Sequence, residues 1–201
     1  MRLEGGNMIE ARFYDQLDHE KVQCHVCQHH CIIKNHKRGI CGVRENKDGR
    51  LYALNYGLTI AVSIDPIEKK PLYHYMPKTY TYSLAAVGCN FNCAWCQNCH
   101  ISQSPKPDKD IEGYPVDIHQ HVEEAISSGC KSIAYTYSEP TIYIEYAYDM
   151  MVLARQYNLK NIWVTNGYMS DEVLNAIIPY LDAVNVDIKG FNDKKHIKHC
   201  G

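Results

Sequence analysis

What most restricts the fold of this chain is the regular exchange of short apolar runs and amphipathic segments between Tyr82 and Ile188. Tyr82–Val87 is apolar and ends at Gly88, which predicts a buried strand. Asp117 opens a helix, with Gln120 in capping-box position and Gly129 at the close. Lys131–Tyr137 predicts a second strand and Thr141–Tyr157 a second helix, whose Ile142, Tyr146, Met150, Leu153 and Tyr157 fall on one face. Asn161–Thr165 predicts a third strand, Ser170 caps a third helix ending near Pro179, and Ala183–Ile188 predicts a fourth strand. Strand and helix in alternation imply parallel βα units with right-handed crossovers. The expected class is therefore α/β.

In parallel βα folds, ligands bind at the C-terminal ends of the strands. The polar residues just past each predicted strand are thus the candidates: Cys89, then Ser138 and Glu139, then Asn166, then Asp187 and Lys189. By period-two geometry Asp187 and Lys189 share a strand face. A closed eight-stranded barrel takes roughly 250 residues. This chain ends at residue 201, one loop after its fourth predicted strand. The expectation is a partial (βα) barrel, truncated, with an open edge that promotes aggregation.

Upstream of Tyr80 the pattern is different. Residues 1–20 read as an irregular lead-in, 51–64 as partly alternating strand, and 65–77 as loop, because Pro66, Pro71 and Pro77 interrupt it. Residues 100–115 read as a Pro-rich loop. The expected division is an N-terminal Cys-rich segment and linker over 1–79, and the partial barrel over 80–201. The N-terminus has no apolar core of a secretory signal, and no apolar stretch approaches the ~20 residues of a membrane span. A formal net charge of -2 gives no basic field for nucleic acid. The expected location is the cytoplasm, with neither membrane nor nucleic acid as partner.

There are ten cysteines. In a reducing compartment, clustered cysteines read first as metal ligands. Cys24-x2-Cys27-x3-Cys31-x9-Cys41 supplies four thiolates, with His25, His29, His30 and His36 as alternates. Four sulfurs suit tetrahedral zinc or a closed iron–sulfur cluster, and this reading leans to zinc. Cys89, Cys93 and Cys96 stand at C-x3-C-x2-C just past the first predicted strand. Three thiolates can hold three irons of a [4Fe–4S] cube and leave the fourth open to an external ligand, such as the amino and carboxylate groups of S-adenosylmethionine (SAM). Zinc is the alternative, and Cys99 is a possible fourth ligand.

This C-x3-C-x2-C segment, with Trp95 before the last cysteine, resembles the radical SAM superfamily signature. The runs Asp65–His74, Gly88–Asn98 and Ile101–Gln103 are similar to the AmmeMemoRadiSam-system radical SAM enzymes, relatives of the pyruvate formate-lyase activating enzymes. Ala94 and Cys99 stand where family members often carry proline and an aromatic residue, and those members usually continue well past residue 201. The resemblance implies a [4Fe–4S] cluster on Cys89, Cys93 and Cys96, reductive SAM cleavage to a 5′-deoxyadenosyl radical, a protein or peptide substrate, and an electron donor such as flavodoxin or ferredoxin. It further implies that Glu139, in place of a Gly-Gly-Glu-like segment, and Asn166, Asp187 and Lys189 face SAM. Glu139 as a simple helix-start residue, and Asp187–Lys189 as a structural ion pair, stay open. The competing function is a non-catalytic zinc or iron–sulfur module serving in assembly.

Overall fold

The computed structural model describes residues 8–106 and 109–201. Residues 1–7 of the expected lead-in, and residues 107 and 108 of the expected Pro-rich loop, lie outside the described residues. Four short strands come first: β1 (Ile9–Glu10), β2 (Tyr14–Leu17), β3 (Lys21–Cys24) and β4 (Ile32–Ile33). Next is the hairpin β5 (Arg44–Lys47) and β6 (Arg50–Ala53), followed by β7 (Leu58–Thr59) and β8 (Ala61–Pro66). The repeating part holds β9 (Tyr80–Ala85), α1 (Cys99–Ser102), β10 (Tyr114–Pro115), α2 (Ile118–Ser127) and β11 (Ser132–Tyr135). It continues with α3 (Ile144–Gln156), β12 (Lys160–Thr165), α4 (Asp171–Ile177), β13 (Ala183–Val186) and α5 (Asp193–Cys200).

The main sheet has the order β13-β12-β11-β9-β8. The first four are mutually parallel, with Leu84, Tyr135, Trp163 and Val184 in line across the sheet. The loops that follow them therefore emerge side by side. Strand β8 joins antiparallel, Ala61 opposite Ala85. Period-two alternation splits the side chains between two faces. Tyr82, Leu84, Ile133, Tyr135 and Trp163 enter a large core with Val122, Met150 and Val173 of the helices. Ala134 and Ile162 point the other way and meet Ile67, with Leu72 and Tyr75 packed alongside.

Local sequence sets the helix starts. The Asp117 side chain accepts from His119 N at 2.8 Å and that of Ser170 from Val173 N at 3.2 Å. The expected capping box does not form: Gln120 Nε2 donates forward to Glu124 Oε1 at 2.9 Å. Glu139 precedes a 3-10 turn over Pro140–Tyr143, so the second helix begins three residues later than its apolar period suggested. Its Tyr157 lies outside the helix and is exposed, whereas Ile142, Tyr146, Met150 and Leu153 are buried.

Four upstream expectations need correction. Residues within 8–20 are not irregular, since β1 pairs with β6 and β2 with β3. Residues 51–64 are not one strand: the chain turns at Gly57, which has φ +70°, and starts again. Asp65 and Pro66 end β8 rather than opening a loop. The 79/80 division is crossed by the sheet itself through β8–β9 pairing, and Val22, Val26, Ile33, Val43 and Leu51 share the core with Leu84 and Tyr146. A buried bidentate pair adds to this joint, Arg44 donating to Glu145 Oε1 and Oε2 at 3.0 and 2.5 Å. In the C-terminal part, β13 stops at Val186, so Asp187 and Lys189 lie in the following loop rather than on a strand face. Helix α5 has no counterpart in the apolar pattern, because six of its eight residues are Lys, His or Asp.

Candidate functional site

One cavity of about 750 Å³ opens at the C-terminal ends of the parallel strands. Cys89, Cys93 and Cys96 line it from the loop after β9, Glu139 from after β11, Asn166 from after β12, and Asp187 and Lys189 from after β13. The structure thus brings these seven residues together, and Ser138 lines the same cavity. Cys99 is exposed, starts α1 and does not line the cavity.

The cysteine loop is fixed on several sides. Gly88 has φ +105°, and a Cβ there would meet Val43 Cγ1 at 2.9 Å and the Cys41 carbonyl at 3.1 Å. Only glycine lets the backbone pass so close to the N-terminal segment. On the other side, Asn92 N donates to Cys200 O and Ala94 N to His199 O, so the end of α5 closes on the loop. The thiols have polar neighbours of their own. Phe91 N–H points at Cys89 Sγ from 3.3 Å, and Ser102 Oγ lies 3.4 Å from Cys96 Sγ. Burial, with the Glu139 charge adding to it, pushes the Cys89 thiol up to about 12. Burial and the contact with Cys200 push Cys93 up to about 11.

Glu139 is buried and saturated with donors. Its Oε1 accepts from Thr141 N, Thr141 Oγ1 and Thr165 Oγ1 at 3.1, 2.6 and 2.6 Å, and its Oε2 accepts from Asn166 N at 2.8 Å. Burial raises its pKa, and these hydrogen bonds work against the rise. The carboxylate therefore ties the loop after β11 to the loop after β12. Asn166 carries the link onward, donating from Nδ2 to Asn90 Oδ1 at 2.7 Å beside the Cys89 sulfur. Asp187 accepts from Lys189 Nζ at 2.9 Å. Burial alone would lower the Lys189 pKa; the contact with Asp187 and the nearby Cys93 and Cys89 sulfurs raise it.

Two further residues had no role assigned from sequence: Tyr137, which lines the cavity, and Asp65, which is bonded to Tyr137 and to the lining Lys70. The Asp65 carboxylate accepts from Lys69 Nζ and Lys70 Nζ, both at 2.7 Å, and from Tyr137 OH at 2.5 Å. Lys70 is only 2% exposed and lies 4.5 Å from the Tyr137 ring centre. Tyr137 has φ +63°, a costly backbone state for an aromatic residue and one that turns its ring to the cavity. The run from Asp65 to Pro71 carried part of the family resemblance. The 3-10 turn Ile67–Lys69, which folds both lysines back onto Asp65, is what sequence reading missed.

The thiol chemistry fits an iron–sulfur cluster. Three soft donors share one cavity, with a backbone N–H at the Cys89 sulfur and a hydroxyl beside that of Cys96, neighbours suited to cluster ligands. Among the described residues, no three Cys, His, Asp or Glu side chains stand so as to hold a single metal ion. The family model described as the radical SAM superfamily matches residues 84–201, more than half of the chain. The chain belongs to the radical SAM superfamily. This radical SAM chain is 50% identical over 186 residues to the uncharacterized protein MJ0808 of Methanocaldococcus jannaschii, covering 92% of this chain and 55% of that protein. It is 23% identical over 176 residues to the uncharacterized protein MJ0674 of the same organism, covering 85% of this chain and 46% of that protein. It thus spans about half the length of the curated relatives it matches. Among the described residues, no helix of this radical SAM chain is long and apolar enough to cross a membrane.

Proposed function

We propose that the chain carries the cluster- and SAM-binding part of a radical SAM enzyme of the activating-enzyme type, built on the first strands of a (βα) barrel. The observation that carries this reading is the single cavity in which three thiols from one loop face Asn166, Asp187 and Lys189 from two others. Cys89, Cys93 and Cys96 would hold a [4Fe–4S] cluster, which would supply the electron that cleaves SAM to methionine and a 5′-deoxyadenosyl radical. Three protein thiolates leave one iron for SAM. Asp187 and Lys189 are an ion pair at the cavity, and each can exchange its partner for the opposite charge of an amino-acid group. Glu139 acts mainly by holding Asn166 and Thr165 in place. The AmmeMemoRadiSam-like runs support a protein or peptide substrate, a flavodoxin- or ferredoxin-like electron donor and a cytoplasmic location.

The test is anaerobic reconstitution with iron and sulfide, followed by reduction and electron paramagnetic resonance (EPR). A [4Fe–4S] signal that changes on adding SAM should be present, and that SAM-responsive signal should disappear in C89A/C93A/C96A, with 5′-deoxyadenosine formed only by the unaltered chain. A cluster signal indifferent to SAM would favour the non-catalytic module instead.

A further inference from the structure

Strand β11 runs into a strained turn at the edge of the cavity. Ser138 N donates to Thr136 O at 2.8 Å, across a single residue, and the residue enclosed, Tyr137, has φ +63°. A hydrogen bond of this span around a positive φ is the rare, strained form of γ-turn. Glycine occupies that region of backbone freely, whereas a bulky side chain there is an outlier. Tyr137 and Ser138 fill the two positions ahead of Glu139, so no glycine relieves the turn. Strain of this kind persists only where the surrounding structure over-determines it, and it gathers at functional sites.

Tyr137 is held from several sides. Its OH donates to Asp65 Oδ2 at 2.5 Å. Lys70 bonds the same carboxylate oxygen at 2.7 Å and places its ammonium 4.5 Å from the Tyr137 ring centre. Asp65 and Lys70 are each only 2% exposed, so the clamp on the side chain is itself fixed. It comes from the end of β8 and the 3-10 turn that follows, upstream of all the parallel strands. The backbone is held as well. Asn98 Nδ2 donates to Tyr137 O at 2.9 Å, and Ser138 Oγ donates to Ala86 O at 2.6 Å. Asn98 follows the last cysteine of the cysteine loop and Ala86 precedes the first. Glu139, next in line, is tied to Thr165 and Asn166. The turn is thus the junction of three loops, and Asn98, Tyr137, Ser138 and Glu139 all line the cavity.

On the SAM reading above, on which this role rests, we infer that Tyr137 is a positioning residue for SAM, kept in its left-handed turn by Asp65 and Lys70. With ring and phenol anchored, Ser138 and Glu139 are set at a fixed place against the cysteine loop. Without the anchor, an aromatic residue relaxes towards negative φ. That movement carries Ser138 off Ala86 and Glu139 off Asn166, and the cavity loses the shape that meets SAM while the three thiols stay where they are. Tyr137 acts through the loop it sets, not by touching the reacting atoms.

The experiment titrates SAM into Tyr137→Phe, Tyr137→Gly, Tyr137→Ala and the unaltered chain. Each is reconstituted anaerobically with iron and sulfide and reduced, the EPR signal is followed, and Tm is measured on the same samples. Tyr137→Phe loses only the bond to Asp65. It should need about tenfold more SAM for the same change in signal, with its cluster content unchanged. Tyr137→Gly and Tyr137→Ala both lose the ring and should bind SAM at least as weakly. Tyr137→Gly should melt above Tyr137→Ala, since only glycine keeps this turn without strain. A Tyr137→Phe chain that answers SAM at the same concentration as the unaltered chain overturns the inference. So does loss of the cluster in that variant, which would make Tyr137 a support of the cysteine loop, and so do equal Tm values for the glycine and alanine variants. If Tyr137→Phe does not fold, Tyr137→Gly decides by the same titration. A cluster signal in the unaltered chain that ignores SAM defeats the SAM reading itself, and this role with it.

Discussion

The Lys70 ammonium lies 2.7 Å from the Asp65 carboxylate, and both side chains are buried where the loop after β8 meets the cavity. Burial alone would raise the Asp65 pKa, but hydrogen bonds from Lys69, Lys70 and Tyr137 hold it well below the usual carboxylate range. Breaking a buried pair by removing one partner leaves an uncompensated charge. Lys70→Met should therefore lower stability by about 3 kcal/mol, the low end for such changes because Lys69 and Tyr137 still hold the carboxylate. Removing both charges, in Asp65→Leu with Lys70→Met, should recover most of that loss in urea unfolding. A double variant as unstable as the single one would show that the pair does more than neutralise charge.

A second prediction concerns acid. His121 is buried between Tyr82 OH and Thr59 Oγ1, each at 2.9 Å, with Tyr146 against its ring. Burial lowers its pKa from 6.5 to about 4, against the opposing pull of Glu124 and Asp117. The unfolded chain therefore binds a proton that the folded chain refuses between those values. This contribution is complete above pH 6.5 and is lost as pH falls towards 4, to a total of about 3 kcal/mol. Unfolding free energy measured from pH 7 to 4.5 should drop less steeply in His121→Gln. Glu124, whose pKa is lowered by the Tyr82 hydrogen bond, adds its own loss only below its ordinary value of 4.5. Parallel curves for the two proteins would refute the assignment.

The proposed function makes Asp187 and Lys189 a binding pair and Glu139 a positioning group. Asp187 and Lys189 are partly exposed and make no other side-chain hydrogen bond among those described. Asp187→Asn and Lys189→Met should each weaken the SAM effect on the cluster signal about tenfold, a loss of about 1.4 kcal/mol, without moving Tm. Glu139→Gln places an amide donor among four groups that already donate to it. It should lower both Tm and SAM affinity. A Glu139→Gln protein with unchanged Tm would mean that the carboxylate is not the tie between the two loops.

Strand β13 forms one edge of the main sheet and shows Val184 and Val186 to solvent, with Ile188 and Phe191 exposed beyond it. Unpaired edges with apolar side chains promote self-association. Val184→Lys with Val186→Lys should lower the concentration-dependent scattering of this chain without loss of secondary structure. Unchanged scattering would place the association elsewhere.

Residues near in sequence determined much of this protein on their own. Alternating apolar runs specify parallel βα units because the periods of strand and helix are local properties. The site residues after each strand follow, since aligned parallel strands bring their C-terminal loops to one side. The spacing of Cys89, Cys93 and Cys96 falls within a single loop and is legible for the same reason. What only the tertiary structure decided are relations between distant segments. The pairing of β8 with β9 brings Lys70 to the cavity, with Asp65 bonded to it from behind. Glu139 is committed to Thr165 and Asn166, 26 and 27 residues away. Gly88 lets the cysteine loop lie against Cys41, and Asn90 stands between two thiol groups. Such contacts depend on how whole faces pack and on which buried donors find partners, and no local period records that.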